Sequence, residues 1–305
     1  MARIAAFIER YTLRSSAELS SLAHYRQAAF ELGHQLDFLF RNELKYLGNY
    51  EAIFIRALTD PLNTSYVVAR LAQMKGLRVI DDPESIRICC DKVNMYQHLL
   101  KKGVPIPRTL FLDEREVCKE KARELLQMLG SPLVLKAPNS CFSQYVDKVV
   151  SPEGFVQVGK RFLRRANRLV VQQYIPSTYD WRVVILDGQV LSVVKYIFAP
   201  NTWRIMDRSE QGERLTVVGI PIEKVDPRLL QTALRAAECI GKSLYGIDIK
   251  ETKDGYLVIE VNDNPNIDAG DEDQCNPAIY KQIIHYLAGE KGEEFNLSSS
   301  QSCGS

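Results

Sequence analysis

The residues whose types and spacing best suit chemistry are Asp248, Glu260 and Asn262. They lie in the stretches Tyr245-Gly-Ile-Asp-Ile-Lys250 and Glu260-Val-Asn262. Two apolar runs, Leu244 to Ile249 and Tyr256 to Val261, read as strands joined by the hairpin signal Asp254-Gly255. Side chains alternate along a strand, so Glu260 and Asn262 share a face, and hairpin register can bring Asp248 beside them. Two carboxylates and an amide carbonyl are hard oxygen donors, suited to Mg²⁺ and through it to nucleotide phosphates. The same residues also suit a hairpin edge with solvated acids, and the hairpin alone does not choose between the two.

The elements that must position them follow from patterning. A chain of 305 residues is long for one core and implies two or three small domains. Residues 1–88 read strand, helix, strand, strand, helix, strand: Ile4 to Ile8, Ser16 to Leu32, Gln35 to Phe40, Ala52 to Ile55, Thr64 to Lys75 and Arg78 to Ile80. Glycines at 33 and 76 end the two helices. That alternation predicts a small parallel sheet flanked by helices, an α/β arrangement. Residues 89–169 form a second segment, with a helix opening at Lys92 behind the cap Asp91, and a buried strand Leu133 to Lys136. Residues 170–289 form a third, with strands near 170–174, 181–187 and 190–198, a helix over 227–243 with Pro227 at its first position, and the hairpin. Residues 290–305 read as a flexible polar tail.

Composition excludes several classes. The hydrophobic share is 46% and the charged share 25%, which is globular. A net charge of +1 with interspersed signs gives no electrostatic case for nucleic acid or membrane partners. Seven scattered cysteines, of which only Cys89 and Cys90 are close, suggest reduced thiols in a cytoplasmic protein. Three nucleotide or metal motifs fail on inspection. Gly241-Lys242-Ser243 has Ala236 where a P-loop needs glycine, and it ends a helix where a P-loop begins one. No Gly-x-Gly-x-x-Gly follows the first strand. Asn264-Pro-Asn266-Ile-Asp268 has its glycine one place late for a calcium loop and Cys275 at the twelfth position. The histidines at 24, 34, 98 and 285 are read as structural, and Trp181 and Trp203 as core or cleft-wall aromatics.

Taken in order, Asp91-Lys92, Lys136, Gln-Gln-Tyr-Ile175, Asp180-Trp-Arg182, Gly-Ile-Asp248 and Glu-Val-Asn262-x-x-Pro265 resemble the ATP-grasp superfamily. The likeness runs from about Ala52 to about Ala288 and is nearest to RimK-like ligases that add glutamate to ribosomal protein, with glutathione synthetase as a cousin. The resemblance implies an ATP cleft between two α+β lobes, behind an N-terminal α/β domain that helps bind substrate. It implies Lys92 and Lys136 on the phosphates, Gln173 and Tyr174 at the adenine hinge, and Asp180 on the ribose, although Asp180 read as a lone loop acid also suits a cap. Arg182, Arg204 and Lys195 would serve the reacting groups, with surface salt-bridging the alternative for Arg204. Arg56 and Asn266 would face substrate. One departure is the stretch Asn139-Ser-Cys-Phe-Ser-Gln-Tyr145, where relatives carry phosphate-loop glycines; Ser140 and Ser143 would donate there instead.

The activity implied is an ATP- and Mg²⁺-dependent carboxylate–amine ligase acting through an acyl phosphate, with Mn²⁺ as a substitute metal. Asp248, Glu260 and Asn262 would hold two Mg²⁺ ions. The substrates would be amino acids, peptides or a protein tail, and the oligomeric state stays open. Two other readings also stay open: a phosphotransferase acting on a hydroxyl, and a non-catalytic nucleotide-binding protein.

Overall fold

A computed structural model of the chain describes residues 1–139, 145–204 and 215–290. The serines expected to donate to phosphate, Ser140 and Ser143, lie outside the described residues, as does the expected tail beyond Glu290.

The N-terminal alternation forms the expected parallel sheet. Its elements are β1 (Arg3–Phe7), α1 (Ser16–Glu31), β2 (Gln35–Leu39), β3 (Ala52–Ile55), α2 (Thr64–Met74) and β4 (Arg78–Ile80), with strand order β2-β1-β3-β4 and every pairing parallel. All four residues of β3 are buried, as expected of a strand covered on both faces. Ala5, Phe7, Ile53 and Ile55 face α2, while Ile4, Ala6, Ala52 and Phe54 face α1.

The next stretch holds α3 (Pro83–Cys89), α4 (Lys92–Lys101), β5 (Thr109–Leu112), α5 (Lys119–Leu129), β6 (Leu133–Lys136), β7 (Val146–Val149), α6 (Pro152–Leu163) and β8 (Leu169–Gln173). Asp91 caps α4 as expected, its carboxylate accepting from the amides of Val93 at 2.8 Å and Asn94 at 3.1 Å. The strands form a sheet of order β5-β8-β6-β7 under α5 and α6. The division at 169/170 therefore cuts through this sheet, because β8 bonds to both β5 and β6. A strand's sheet is fixed by its pairing partners, which local patterning does not reveal.

The last stretch holds β9 (Tyr179–Leu186), β10 (Gln189–Ile197), β11 (Thr216–Gly219), α7 (Pro227–Ile240), β12 (Leu244–Thr252), β13 (Gly255–Asn262) and α8 (Ile279–Ala288). The strands form an antiparallel sheet of order β11-β10-β9-β12-β13. One face, with Trp181, Val183, Ile185, Ile247 and Ile249, packs on α7 and α4. The other changes character along its length. Leu244, Val184 and Leu186 at one end join the core of the N-terminal sheet, which α8 also joins, while Asp248, Arg182 and Asp180 at the other end are charged. That switch from apolar to charged on a single strand face builds the candidate site.

Candidate active site

Asp248 and Glu260 stand directly opposite each other in the β12–β13 ladder, and Asn262 stands opposite Gly246 on the same face. Asn262 Nδ2 donates to Asp248 Oδ2 at 3.1 Å and to the Gly246 carbonyl at 3.1 Å. Arg182, paired with Asp248 across β9 and β12, grips it with two bonds: Nε to Oδ1 at 2.5 Å and Nη2 to Oδ2 at 3.0 Å. Gly246 makes room for this grip, because a Cβ there would lie 3.0 Å from Arg182 Nη1 and 2.8 Å from Pro265 Cβ. Arg182 also lies over the Tyr196 ring, 5.3 Å from its centroid.

Two lysines from the preceding sheet region complete the cluster. Lys92 Nζ is 2.8 Å from Glu260 Oε1. Lys136 Nζ donates to the Tyr96 hydroxyl at 2.7 Å, and that hydroxyl donates to the Ile259 carbonyl at 2.6 Å. Lys92 and Lys136 are buried, and Glu260 is half-buried. Burial pushes the Asp248 carboxyl up, and Arg182 only partly offsets this. Burial also opposes charge on Glu260, but Lys92 and Lys136 together bring it below its ordinary value. Burial presses against the Arg182 charge too, yet Asp248 holds it above its ordinary range.

Burial lowers Lys136 to about 8, against the pull of Glu260. Its folded pKa is thus below the 10.5 of the free group, so the folded state pays most below pH 8 and is relieved as pH rises to 10.5. Lys136→Met is expected to raise stability at pH 7 by about 1–3 kcal/mol and to weaken nucleotide binding. The Tyr96 hydroxyl keeps its bond to Ile259, so no donor is orphaned. Melting curves between pH 7 and 10.5 should show the stability gain shrinking; a gain independent of pH would mean that the ammonium is not strained by burial.

Asp180 departs from the expectation of a loop acid. It lies in β9, buried, ion-paired with Lys250, and burial pushes it up to about 6 in spite of that ammonium. Lys250 was not singled out from sequence, although its position two residues beyond Asp248 puts it on the same strand face. Lys195 is not brought to the cluster. It pairs with Trp181 in the β9–β10 ladder, so it projects from the opposite face, with its ammonium 4.2 Å from the Tyr179 ring centroid and 4.4 Å from that of Trp181. Its one-residue offset from Val194, the partner of Arg182, decides this.

Arg204 lies against β7, its Nη1 donating to the Val146 carbonyl at 2.8 Å and 3.6 Å from Asp147 Oδ1. Gln173 sits at the end of β8, its amide donating to the Arg108 carbonyl at 2.9 Å. The Tyr174 ring meets Trp203 edge-on, with Lys148 4.6 Å from both centroids. Arg56 reaches from the end of β3 to the loop after β13, where its Nη1 donates to Asn264 Oδ1 at 2.6 Å and the Pro265 carbonyl at 3.0 Å. Asn266 is exposed two residues beyond Asn264 in that loop. Glu272 was missed: buried, it accepts from the Tyr196 hydroxyl at 2.5 Å and the Asp268 amide at 2.8 Å, which holds the loop beneath Arg182. Nothing local in the sequence marks this buried acid.

The RimK-like ATP-grasp domain matches residues 89–287, the stretch that carries the whole charged cluster. The chain belongs to the RimK-like ATP-grasp family. With that membership it is an ATP-dependent carboxylate–amine ligase, an enzyme that forms C–N bonds. Among family relatives, it is 25% identical over 250 residues to the glutamate–LysW ligase of Sulfolobus acidocaldarius, covering 80% of this chain and 83% of that one. It is 24% identical over 293 residues to a probable alpha-L-glutamate ligase of Coxiella burnetii, covering 90% and 93%. The ATP-grasp fold is also that of D-alanine–D-alanine ligase from Bacillus anthracis, with a TM-score of 0.72, 16% identity and coverage of 94% and 96%. Among the described residues, no helix is long and apolar enough to cross a membrane. Among the described residues, Cys89, Cys90, Cys118 and Cys239 are free thiols.

Proposed function

We propose that the chain joins the amine of an amino acid to the carboxylate of a second amino acid, a peptide or a protein tail, with ATP phosphorylating that carboxylate first. Glutamate, which both relatives carry in their names, is the first amino acid to test. The observation that carries the reading is the facing pair Asp248 and Glu260, each already neutralised by a buried cation, Arg182 and Lys92. Such an arrangement pre-forms both signs of charge that a phosphoryl transfer needs.

The donor set fits Mg²⁺, with Mn²⁺ as a substitute. Asp248 and Glu260 are close enough for the charge of one to raise the other, a repulsion that a divalent cation removes. The Asn262 amide, now donating to Asp248, presents its oxygen after a half-turn. No group of three or more His, Cys, Asp or Glu side chains suited to a metal occurs among the described residues; this set is two acids and an amide. When bound, the metal supplies Lewis-acid neutralisation of phosphate charge.

The chain's own residues do the rest. Lys92 and Lys136 bind phosphate oxygens as point charges, Lys92 leaving Glu260 to do so. Gln173 and Tyr174 hold the adenine at the end of β8, and Asp180 meets the ribose. The Arg182 guanidinium, anchored on Asp248, stabilises the phosphoryl group and then the tetrahedral intermediate as the amine attacks. Arg204 clamps the phosphoryl group from the β7 side. Arg56 and Asn266 bind substrate at the edge of the N-terminal sheet, and the reaction takes place in the cytoplasm.

Hydroxylamine tests the order of events. With ATP, Mg²⁺ and the carboxylate substrate it should give a hydroxamate, because a strong amine intercepts an acyl phosphate. ADP accompanied by a stable phosphate ester and no hydroxamate would replace the ligase with a phosphotransferase; no turnover at all with any carboxylate would favour a nucleotide binder.

A further inference from the structure

Arg182 rests on more than Asp248. Its guanidinium carbon lies 5.3 Å from the centre of the Tyr196 ring, close enough for the ring face to attract the charge. In β10, Ser192, Val194 and Tyr196 pair with Val184, Arg182 and Asp180 of β9, so all six share one face of the sheet. The two polar side chains that β10 contributes end on a single residue. The Tyr196 hydroxyl donates to Glu272 Oε1 at 2.5 Å, and the Ser192 hydroxyl donates to the Glu272 carbonyl. The other carboxylate oxygen, Oε2, accepts from the Asp268 amide at 2.8 Å. Tyr196, Ser192 and Glu272 are all buried.

Glu272 stands on a fixed base. Its loop, between β13 and α8, is tied to α1, where the Ser21 hydroxyl donates to the Ile267 carbonyl at 2.7 Å. It is tied to β10 where Asn276 Nδ2 donates to the Leu191 carbonyl at 2.8 Å. A buried carboxylate is costly, and the fold retains one here with both oxygens bonded. Burial raises the Glu272 carboxyl, and the Tyr196 hydroxyl, the Asp268 amide and the Arg182 charge each pull it back. Arg182 needs this second support. Asp248 holds its Nε and Nη2, yet Asp248 also belongs to the donor set proposed for Mg²⁺, and an oxygen that serves a cation is lost to the guanidinium. The Tyr196 ring lies outside that set. Nη1 of Arg182 bonds to no described residue and is the edge left for a phosphoryl oxygen.

We propose that Tyr196 and Glu272 are positioning residues for Arg182: the carboxylate pins the tyrosine ring, and the ring keeps the guanidinium aimed at the γ-phosphoryl group. The assignment rests on the role given to Arg182 in the ligase reading and adds what aims it. Both residues act through Arg182 and not on the reacting atoms. A misplacement of about 1 Å in such a group is enough to cost much of its effect, which is why a platform two residues deep has a function.

The test uses the full chain with Mg²⁺ and compares ADP with a non-hydrolysable ATP analogue by titration calorimetry. The ratio of the two affinities reads the grip on the γ-phosphoryl group, and wild type should favour the analogue. Glu272→Leu removes both bonds of the carboxylate. It should cut that preference by roughly 10-fold, the low end for a charge-assisted hydrogen bond, and leave ADP affinity unchanged. Glu272→Gln can keep both bonds, its oxygen on the Asp268 amide and its nitrogen on the Tyr196 oxygen, and should restore the preference. Tyr196→Phe keeps the ring and cuts its tether, so it should lose preference too, and it carries the test if Glu272→Leu does not fold. Adding Tyr196→Phe to Arg182→Met should change the ratio no further, because the residue being aimed is gone. Four results would each overturn the assignment: a wild type without preference, a wild-type ratio in both Glu272→Leu and Tyr196→Phe, a further loss in the Arg182→Met background, or equal loss of ADP and analogue binding with a lowered melting temperature. Loss of the fold in both single variants would overturn it too, by making the pair structural. A wild type that shows the expected ratios but forms no hydroxamate would sink the ligase reading and leave the aiming of Arg182 standing.

Discussion

Glu260→Gln is expected to lower turnover at least ~100-fold, or about 2.7 kcal/mol of transition-state stabilisation. The substitution keeps the shape of the side chain and removes the charge that faces Asp248 across the ladder. The structure adds a second consequence. Lys92, whose side chain is 6% exposed, is ion-paired with Glu260 at 2.8 Å, so the variant removes the Glu260 charge from beside a buried ammonium. The protein without nucleotide should therefore melt lower than wild type, and ATP should recover much of the difference because phosphate restores a negative partner to Lys92. Steady-state kinetics with melting curves in the presence and absence of ATP separate these effects. Near-normal turnover would remove Glu260 from the metal set, and a melting temperature that ATP does not recover would mean that Lys92 does not face the phosphates.

Arg182→Met should be the most destabilising single change in the cluster. Arg182 and Asp248 are both under a tenth exposed and bonded at two points, and deleting one member of such a pair costs about 3–5 kcal/mol. What remains is Asp248 with only the Asn262 amide as donor, in a site where burial already pushes its carboxyl up. With Arg182 gone that rise is larger. A carboxyl whose folded pKa lies above its unfolded value penalises the fold at high pH, and the penalty fades as pH falls through the folded pKa. The variant should accordingly lose less stability relative to wild type at acidic pH than at neutral pH. Mg²⁺ should raise its melting temperature more than that of wild type, because the cation becomes the main counter-charge left to Asp248. Adding Asp248→Asn should recover part of the loss by removing the orphaned charge. Equal Mg²⁺ shifts in the two proteins would argue against metal binding at Asp248.

Much of the site was legible because strand periodicity is local. The register that sets Glu260 and Asn262 on one face needs only the alternation of the hairpin, and Asp91 and Pro227 announce their helices through backbone chemistry in adjacent residues. Lys195 shows where that reasoning stops. Its distance from Arg182 in sequence says nothing about the ladder between β9 and β10, and a one-residue difference in register puts it on the far face, over Tyr179 and Trp181. The helices α3, α5, α6 and α8 and the strands β5, β7 and β11 were not read at all; β5, β7 and β11 have four residues each, too few for periodicity to speak.

The sequence by itself determined the chemistry on offer: hard oxygens at 248, 260 and 262, cations at 92, 136 and 182, and a set of motifs in one order. Tertiary structure decided the pairings. Lys92 meets Glu260 across 168 positions of chain, Lys250 takes Asp180, and Arg56 crosses from the first sheet to the loop after the last strand. The physical reason is that a charge's partner depends on distance in space, and burial sets how strongly the two feel each other. Neither quantity exists until the sheets have packed, and so the bond between Tyr196 and Glu272, 76 positions apart, is visible only in the folded molecule.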